Sequence, residues 1–425
     1  MPNILRRQNQ VTTNDTGAGK ITPTGLYHGW VIVAAGFVLV MVLYGAYYSF
    51  VGAFLTPIEE DLGWSRATYS GAAALYLIIH GIFAIIMGRI CDKYGPRWIV
   101  ASGVCLIAIG YGLISQVNAA WQFYIYLGLM VGIGMGAAYV PPLATVAKWF
   151  DARRGLALGV VAAGVGVGQI ILPPLLKYFI TEFGWRDSVA IMAVIICVLG
   201  IPAAFLMRNP PNEISQMNNM NAKGTQSDWS VKEAIQTPSF WFLLAIFAAL
   251  VFGTNLVMAH LVAHVEDNGF DPVPAGAVLS FIGGAGIAGR IISGGAADRI
   301  RNRVTVAVCL GLQIIVFTLL IWIDDLPSFY VIGVLYGLGY GGTLPLIVKM
   351  SSEFFGTTSG ATIFGIMLAG ASVSGALGAL SGGLIYGDTE EYTLAFIIAG
   401  AIIVMASVIN LVLKPPERVT RKLEY

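Results

Sequence analysis

Ala275–Arg303 reads AGAVLSFIGGAGIAGRIISGGAADRIRNR. It is an apolar run of the length that crosses a lipid hydrocarbon core as a helix, roughly 20 residues. One full charge, Arg290, sits in its inner half, and the run closes on a compact polar turn, Gly294 to Arg303. An arginine in hydrocarbon costs about 2.5 kcal/mol or more and usually marks a ligand or ion path. The stretch therefore predicts a membrane-spanning helix whose lone cation is placed to meet an anion.

The closing turn occurs twice. Gly88–Arg97, GRICDKYGPR, and Gly294–Arg303, GGAADRIRNR, share glycine, aspartate, a basic residue and arginine at the same relative positions, 206 apart (294 − 88). Trp149-Phe150 through Gly155 and Phe354-Phe355 through Gly360 agree at an offset of 205 (354 − 149). Such a repeat predicts two similar halves related by an axis along the membrane normal, a layout suited to rocking motion.

Twelve apolar spans follow at 30–55, 67–90, 98–117, 121–147, 157–180, 187–207, 238–265, 275–296, 304–323, 328–350, 360–382 and 393–413. All should be helices, since a helix satisfies its own backbone hydrogen bonds in lipid. The predicted fold class is an all-α membrane protein, twelve transmembrane helices in two pseudo-symmetric six-helix bundles. The expected domains are an N-terminal tail (1–29), an N-terminal bundle (30–207), a polar linker (208–237), a C-terminal bundle (238–413) and a C-terminal tail (414–425). In the linker, Asp228 is expected to cap a short surface helix reaching Ile235.

Composition agrees. Of 425 residues 57% are apolar and 11% charged, against about a quarter charged in soluble domains. A net charge of +1 argues against a nucleic-acid partner and points to a lipid bilayer. Cys91, Cys105, Cys197 and Cys309 are scattered singly, so no metal site, cofactor site or disulfide framework is expected. The first 25 residues lack an apolar signal core. Of the 24 Lys and Arg residues, all but Arg66, Lys177, Arg186 and Arg290 fall on one side if the N-terminus is inside. Positive charge stays cytoplasmic, so both termini are expected in the cytoplasm, with the acidic loops (Glu59-Glu60-Asp61, Glu266-Asp267, Asp324-Asp325, Glu390-Glu391) outside.

The repeated turn makes sense as a gate latch or as a topology signal. Glycine (Gly88, Gly294) allows close helix approach, and the aspartate (Asp92, Asp298) can accept hydrogen bonds at a neighbouring helix N-terminus. The basic residues Lys93, Arg97, Arg299 and Arg303, with Arg153 and Arg154 beyond the fourth span, can pair with other helix ends or lipid phosphates.

The turn Gly88–Arg97 and its second copy resemble the loop signature of the major facilitator superfamily. Lys148–Gly159, KWFDARRGLALG, and Trp229–Trp241, WSVKEAIQTPSFW, are similar to stretches of the monocarboxylate and bacterial oxalate/formate porters. His28-Gly29-Trp30 corresponds loosely to the acidic Gly-Gly-Trp start of the monocarboxylate porters, without the acid. The resemblance implies a transporter, not an enzyme, with Arg290 matching the eighth-helix arginine that engages the substrate carboxylate. The chain departs from it twice: Gly286 stands where the eukaryotic porters carry an aspartate, and Ser49 or a neighbour where they carry a first-helix lysine. Oxalate exchangers add a cation in the eleventh helix, and 360–382 holds none.

No acidic residue falls in the interior of any span, so Arg290 has no obvious partner. It lies about six residues from its helix end, roughly 9 Å at helical rise, so snorkelling to the interface remains the alternative to substrate anchoring. Its repeat counterpart, Ala84 (290 − 206), shows that the scaffold itself needs no cation there. Candidate hydrogen-bonding partners for a bound carboxylate are Asn255, His260, Tyr47, Tyr139, Tyr336 and Tyr340. His260 and His80 are the candidate proton carriers, because imidazole titrates near neutral pH; a helix–helix hydrogen bond is the alternative role for each.

The expected function is secondary transport of a small monocarboxylate of the lactate, pyruvate or acetate type with a proton, by alternating access, in a bacterial inner membrane and as a monomer. The alternative is exchange of organic anions such as oxalate, formate or a larger acid. A drug or cation efflux pump would need an intramembrane acid, an enzyme a convergent catalytic group, and a receptor a signalling domain for which the tails leave little room.

Overall fold

A computed structural model describes residues 23–64, 66–151, 153–211 and 228–417. Among them the secondary structure is helical. The long helices are α1 (Pro23–Ala53), α2 (Arg66–Tyr94), α3 (Pro96–Ile114) and α4 (Ala120–Trp149). The run Arg154–Leu206 is 53 residues long, about 80 Å at 1.5 Å per residue and far more than one crossing needs. It breaks at Gly184, whose φ of 77° and ψ of 166° suit a residue without a Cβ. That break gives α5 (154–183) and α6 (185–206). The second half holds α7 (Pro238–Asp267), α8 (Pro272–Ala297), α9 (Asn302–Leu319), α10 (Leu326–Phe355), α11 (Gly360–Thr389) and α12 (Thr393–Val412). Among the described residues eleven helices are long and apolar enough to cross a membrane, and the Gly184 break turns one of them into two.

The helices outrun the predicted spans where local chemistry lets them. α1 begins at Pro23, a residue tolerated in a first turn, rather than at residue 30. α2 continues to Tyr94 and stops where Gly95 takes φ 86° and Pro96 opens α3. α4 contains a π-helical stretch, Tyr124–Val131, and is interrupted again at Tyr139 before Pro141 and Pro142. In the linker, the short helix Val231–Ile235 is capped by Ser230 and not by Asp228. Ser230 and Glu233 form a capping box, two orphan amides satisfied reciprocally. Asp228 instead accepts from the Thr357 and Thr358 amides and the Thr358 hydroxyl. Most of the expected linker, both tail ends and Ala152 lie outside the described residues.

The internal repeat survives in three dimensions. α3 starts at Pro96 and α9 at Asn302, and α6 ends at Leu206 and α12 at Val412, each pair 206 apart (302 − 96, 412 − 206). α1 packs on α5, α8 on α10 and α7 on α11 inside the halves, while α2 meets α11 and α5 meets α8 between them. The outer faces stay apolar and exposed, as at Ile292, Val373 and Leu411, which is what a lipid-facing surface needs. The end of the bundle carrying Gly88–Arg97 and Gly294–Arg303 is its basic end.

Candidate functional site

At the basic end the two halves are joined by a reciprocal pair of caps. Asp298, closing α8, accepts from the Gly155 and Leu156 amides at 2.8 Å each, at the start of α5. Asp92, near the end of α2, accepts from the Thr362 amide and hydroxyl at 2.8 Å and the Ala361 amide at 3.3 Å, at the start of α11. Both carboxylates sit where helix amides are unsatisfied and the dipole favours negative charge. Each is also paired with a lysine of its own half, Asp92 with Lys148 at 3.3 Å and Asp298 with the buried Lys349 at 2.8 Å.

Glycine is required at these crossings by simple contact. A Cβ on Gly155 would overlap the carbonyl oxygen of Gly294, and one on Gly294 that of Gly155. A Cβ on Gly88 would lie 2.5 Å from the Ala361 carbonyl oxygen. Among the described residues, the partners of Lys93, Arg97 and Arg303 lie within their own halves, whereas Arg154 also feels the Glu353 and Asp298 carboxylates of the other half. Lys93 lies over Tyr94, Arg97 stacks on Trp98 and Phe205, and Arg303 donates to the Asn410 and Leu411 carbonyls. Arg154 is buried, donating to Phe150 and pairing with Asp151 at 3.6 Å. Arg153 and Arg299 are exposed. Sequence reading missed Lys148, Lys349 and Thr362, although Lys349, a cation at the inner end of an otherwise apolar helix, was a visible signal.

Above this closed end a cavity of about 170 Å³ lies between the halves. The first half lines it with Tyr44, Tyr47, Tyr48, Tyr76, His80 and Tyr139; the second brings Thr254, Asn255, Arg290, Tyr340, Thr343 and Ser372. Leu77, Val165, Phe247, Leu250, Val251, Leu344, Leu368 and Ala376 complete an apolar wall. The tyrosines support one another: Tyr47 stacks on Tyr76 at 4.0 Å, Tyr44 meets Tyr139 at 4.6 Å, and Tyr340 stacks on Tyr336 at 6.1 Å.

Arg290 is 3% exposed. Its Nη2 donates to the Tyr340 hydroxyl at 3.3 Å, its guanidinium carbon lies 5.2 Å from that ring's centre, and its Nε has no partner. Among the described residues it forms no ion pair. Gly166 and Gly286 make room for it, since a Cβ on either would sit 3.1 or 3.2 Å from Nη1. The guanidinium is thus aimed into the cavity with its charge uncompensated, an expensive state unless an anion arrives.

The remaining candidates divide. Tyr47, Tyr139, Tyr340, Asn255 and His80 line the cavity with Arg290; His260 and Tyr336 do not. Asn255 donates one amide hydrogen to Val251 at 2.9 Å, leaving its second Nδ2 hydrogen to donate to a ligand and its carbonyl oxygen to accept from one. His260 Nε2 lies 2.8 Å from the Ala379 carbonyl oxygen, in the α7–α11 contact. Tyr336 is fully buried behind Tyr340. His80 is buried, 5.8 Å from Tyr76 ring to ring, with an unpartnered Nε2. Ser49 turns back to the Gly45 carbonyl and stays out of the cavity. Tyr76, Thr254, Thr343 and Ser372 were missed by sequence reading; Tyr76, one turn before His80, could have been found from that spacing. Among the described residues there is no cluster able to hold a metal ion.

Comparison with known proteins fits this geometry. The chain matches the Major Facilitator Superfamily over residues 36–362 and 297–424. It is 26% identical to monocarboxylate transporter 13 of Rattus norvegicus over 384 residues, 89% of this chain and 87% of that relative. It is 27% identical to the oxalate:formate antiporter of Oxalobacter formigenes over 369 residues, 84% of each chain. Its fold superposes on the superfamily transporter FucP, in the outward conformation, with a TM-score of 0.71 at 10% identity, covering 92% of this chain and all of that one.

Proposed function

The chain belongs to the Major Facilitator Superfamily, and from that premise we propose that it carries a small monocarboxylate across the membrane together with a proton. Arg290 carries this reading: a buried guanidinium in a cavity between two halves, without a counter-ion among the described residues. A carboxylate supplies the missing charge and matches the guanidinium fork. One cation suits one anion; a dicarboxylate would leave a charge unneutralised at low dielectric. Tyr340 and Asn255 offer hydrogen bonds to the bound acid, and Tyr139 and Tyr47 close the opposite wall.

His80 is the proton carrier in this scheme, as the imidazole that lines the cavity. Anion plus proton crosses as a neutral load. The bundles are residues 30–207 and 238–413, joined by the 208–237 linker, and the working unit is a monomer in a bacterial inner membrane. The basic end, with both termini, faces the cytoplasm, so this conformation is closed inside and loads from outside. The names of the rat and Oxalobacter relatives support an organic-anion cargo.

Exchange of one anion for another is the second reading, and the same guanidinium favours it. No carboxylate lines the cavity among the described residues, so reorientation of the empty carrier would drag an uncovered charge through the closed state. Proteoliposomes separate the two. Accumulation of labelled lactate, pyruvate or acetate driven by an alkaline interior supports symport, and counterflow without pH-driven accumulation supports exchange. Failure of every monocarboxylate in both formats overturns the carboxylate reading.

A further inference from the structure

The two copies of the repeated turn end differently, and the difference opens a second cavity. In the first half Arg97 is covered by two aromatic rings, Trp98 at 5.6 Å and Phe205 at 5.0 Å. At the same register, 206 residues on, those rings are Val304 and Leu411, while Gly95 becomes Arg301 and Ala204 becomes Asn410. Two positions lose bulk and two gain polarity. A cavity of about 320 Å³ results, lined by Arg301, Arg303, Val304, Ala307, Asn410 and Leu411, between the start of α9 and the end of α12.

Its chemistry is specific. Arg301 is exposed and caps α9 without a side-chain hydrogen bond, leaving a cation beside first-turn amides, a pairing that attracts phosphate. Arg303 donates to the Asn410 and Leu411 carbonyls, at the negative end of α12, and forms no ion pair among the described residues. Asn410 is 1% exposed; its Nδ2 donates to the Arg303 carbonyl at 3.0 Å, and its Oδ1 has no partner among the described residues. That oxygen can only accept, which calls for a donor on the ligand, and beside Arg301 and Arg303 an uncharged hydroxyl suits better than an ammonium. The flanking helix faces are apolar and exposed at Val304, Val308, Val408 and Leu411, as acyl chains require.

We propose that this cleft binds the headgroup of an anionic, hydroxyl-bearing phospholipid of the phosphatidylglycerol type from the adjacent leaflet. The phosphate lies against Arg301, Arg303 and the start of α9, and a glycerol hydroxyl donates to Asn410 Oδ1. The site is separate from the Arg290 cavity and does not depend on what that cavity carries.

Native mass spectrometry of the full chain, with phosphatidylglycerol and phosphatidylcholine offered at equal concentration, tests it. Wild type is expected to retain phosphatidylglycerol preferentially. Arg301→Gly should lower retention roughly fivefold, the worth of one interfacial cation. Val304→Trp with Leu411→Phe, which restores the rings of the first half, should block retention with both arginines present. Soluble glycerol phosphate should not displace the lipid. Undiminished retention in Arg301→Gly, equal retention of phosphatidylcholine, or displacement by glycerol phosphate each overturns the proposal. Arg301 is exposed, so its variant remains readable even if the double variant does not fold.

Discussion

The Arg290 guanidinium donates to the Tyr340 hydroxyl at 3.3 Å and rests over the same ring, 5.2 Å from its centre. A phenol eases the desolvation of a cation without neutralising it. Arg290→Ala should abolish substrate-driven uptake in proteoliposomes while the protein still purifies as a monodisperse species. Arg290→Lys should recover little, because a point charge does not replace a planar fork. Substrate should raise the melting temperature of wild type and leave that of Arg290→Ala unmoved. Near-normal uptake by Arg290→Ala would remove the anion-anchor assignment.

Asp298 and Asp92 make matching caps, but their lysines differ in burial. The Lys349 side chain is 6% exposed and 2.8 Å from its aspartate, while that of Lys148 is 14% exposed and 3.3 Å away. Removing one partner of a buried pair costs about 3–5 kcal/mol when the other charge is left uncompensated; without Asp298, Lys349 would keep the weaker partner Glu353, 3.8 Å away. Asp298→Asn should therefore lower thermal stability more than Asp92→Asn, and Lys349→Met added to Asp298→Asn should restore part of the loss. Equal melting temperatures for the two single variants would contradict this.

Gly155 and Gly294 touch backbone to backbone, with no space for a methyl group on either. Gly155→Ala, Gly294→Ala and, on the other seam, Gly88→Ala should each hold the basic end apart. A spin-label pair placed across α5 and α8 near that end should report a longer distance in these variants, with transport reduced at least tenfold, about 1.4 kcal/mol at 25 °C. An unchanged distance distribution would show that the helices slide to absorb the methyl.

His80 faces the cavity with an unpartnered nitrogen, whereas His260 is tied to the Ala379 carbonyl. His80→Gln should abolish accumulation driven by a pH gradient yet leave counterflow within a few fold of wild type. His260→Gln should spare both. Retained pH-driven accumulation in His80→Gln would move the proton elsewhere, including onto the substrate itself.

Much of this architecture was legible because hydrocarbon imposes length and polarity rules that twelve apolar runs obey, and because the two turns at Gly88 and Gly294 spell their relationship directly. Arg290 was legible for the same reason: a charge stands out against oil. The cavity wall was less so. In a lipid-facing bundle both the packed and the exposed sides of a helix are apolar, so no stripe announces which tyrosine faces inward. Asn255 and His260 illustrate the difficulty, since five residues along a helix turn the side chain about 140° (five steps of 100°), and only Asn255 reaches the cavity. The Gly184 break was legible as well, since the polar stretch Thr181–Asp187 separates the fifth span from the sixth, whereas Asp228 was misread because Ser230 and Glu233 take the cap of that short helix.

The reciprocal caps have a thermodynamic consequence. The Gly155 and Leu156 amides of α5 and the Ala361 and Thr362 amides of α11 find these carboxylate acceptors in the opposite half, so parting the halves leaves those donors, and two carboxylates, to be wetted. Opening this end is therefore a water-uptake reaction. Solutes excluded from protein surfaces oppose hydration of newly exposed groups, and osmotic stress should slow the step in which the mouth at that end parts, independently of the driving gradient.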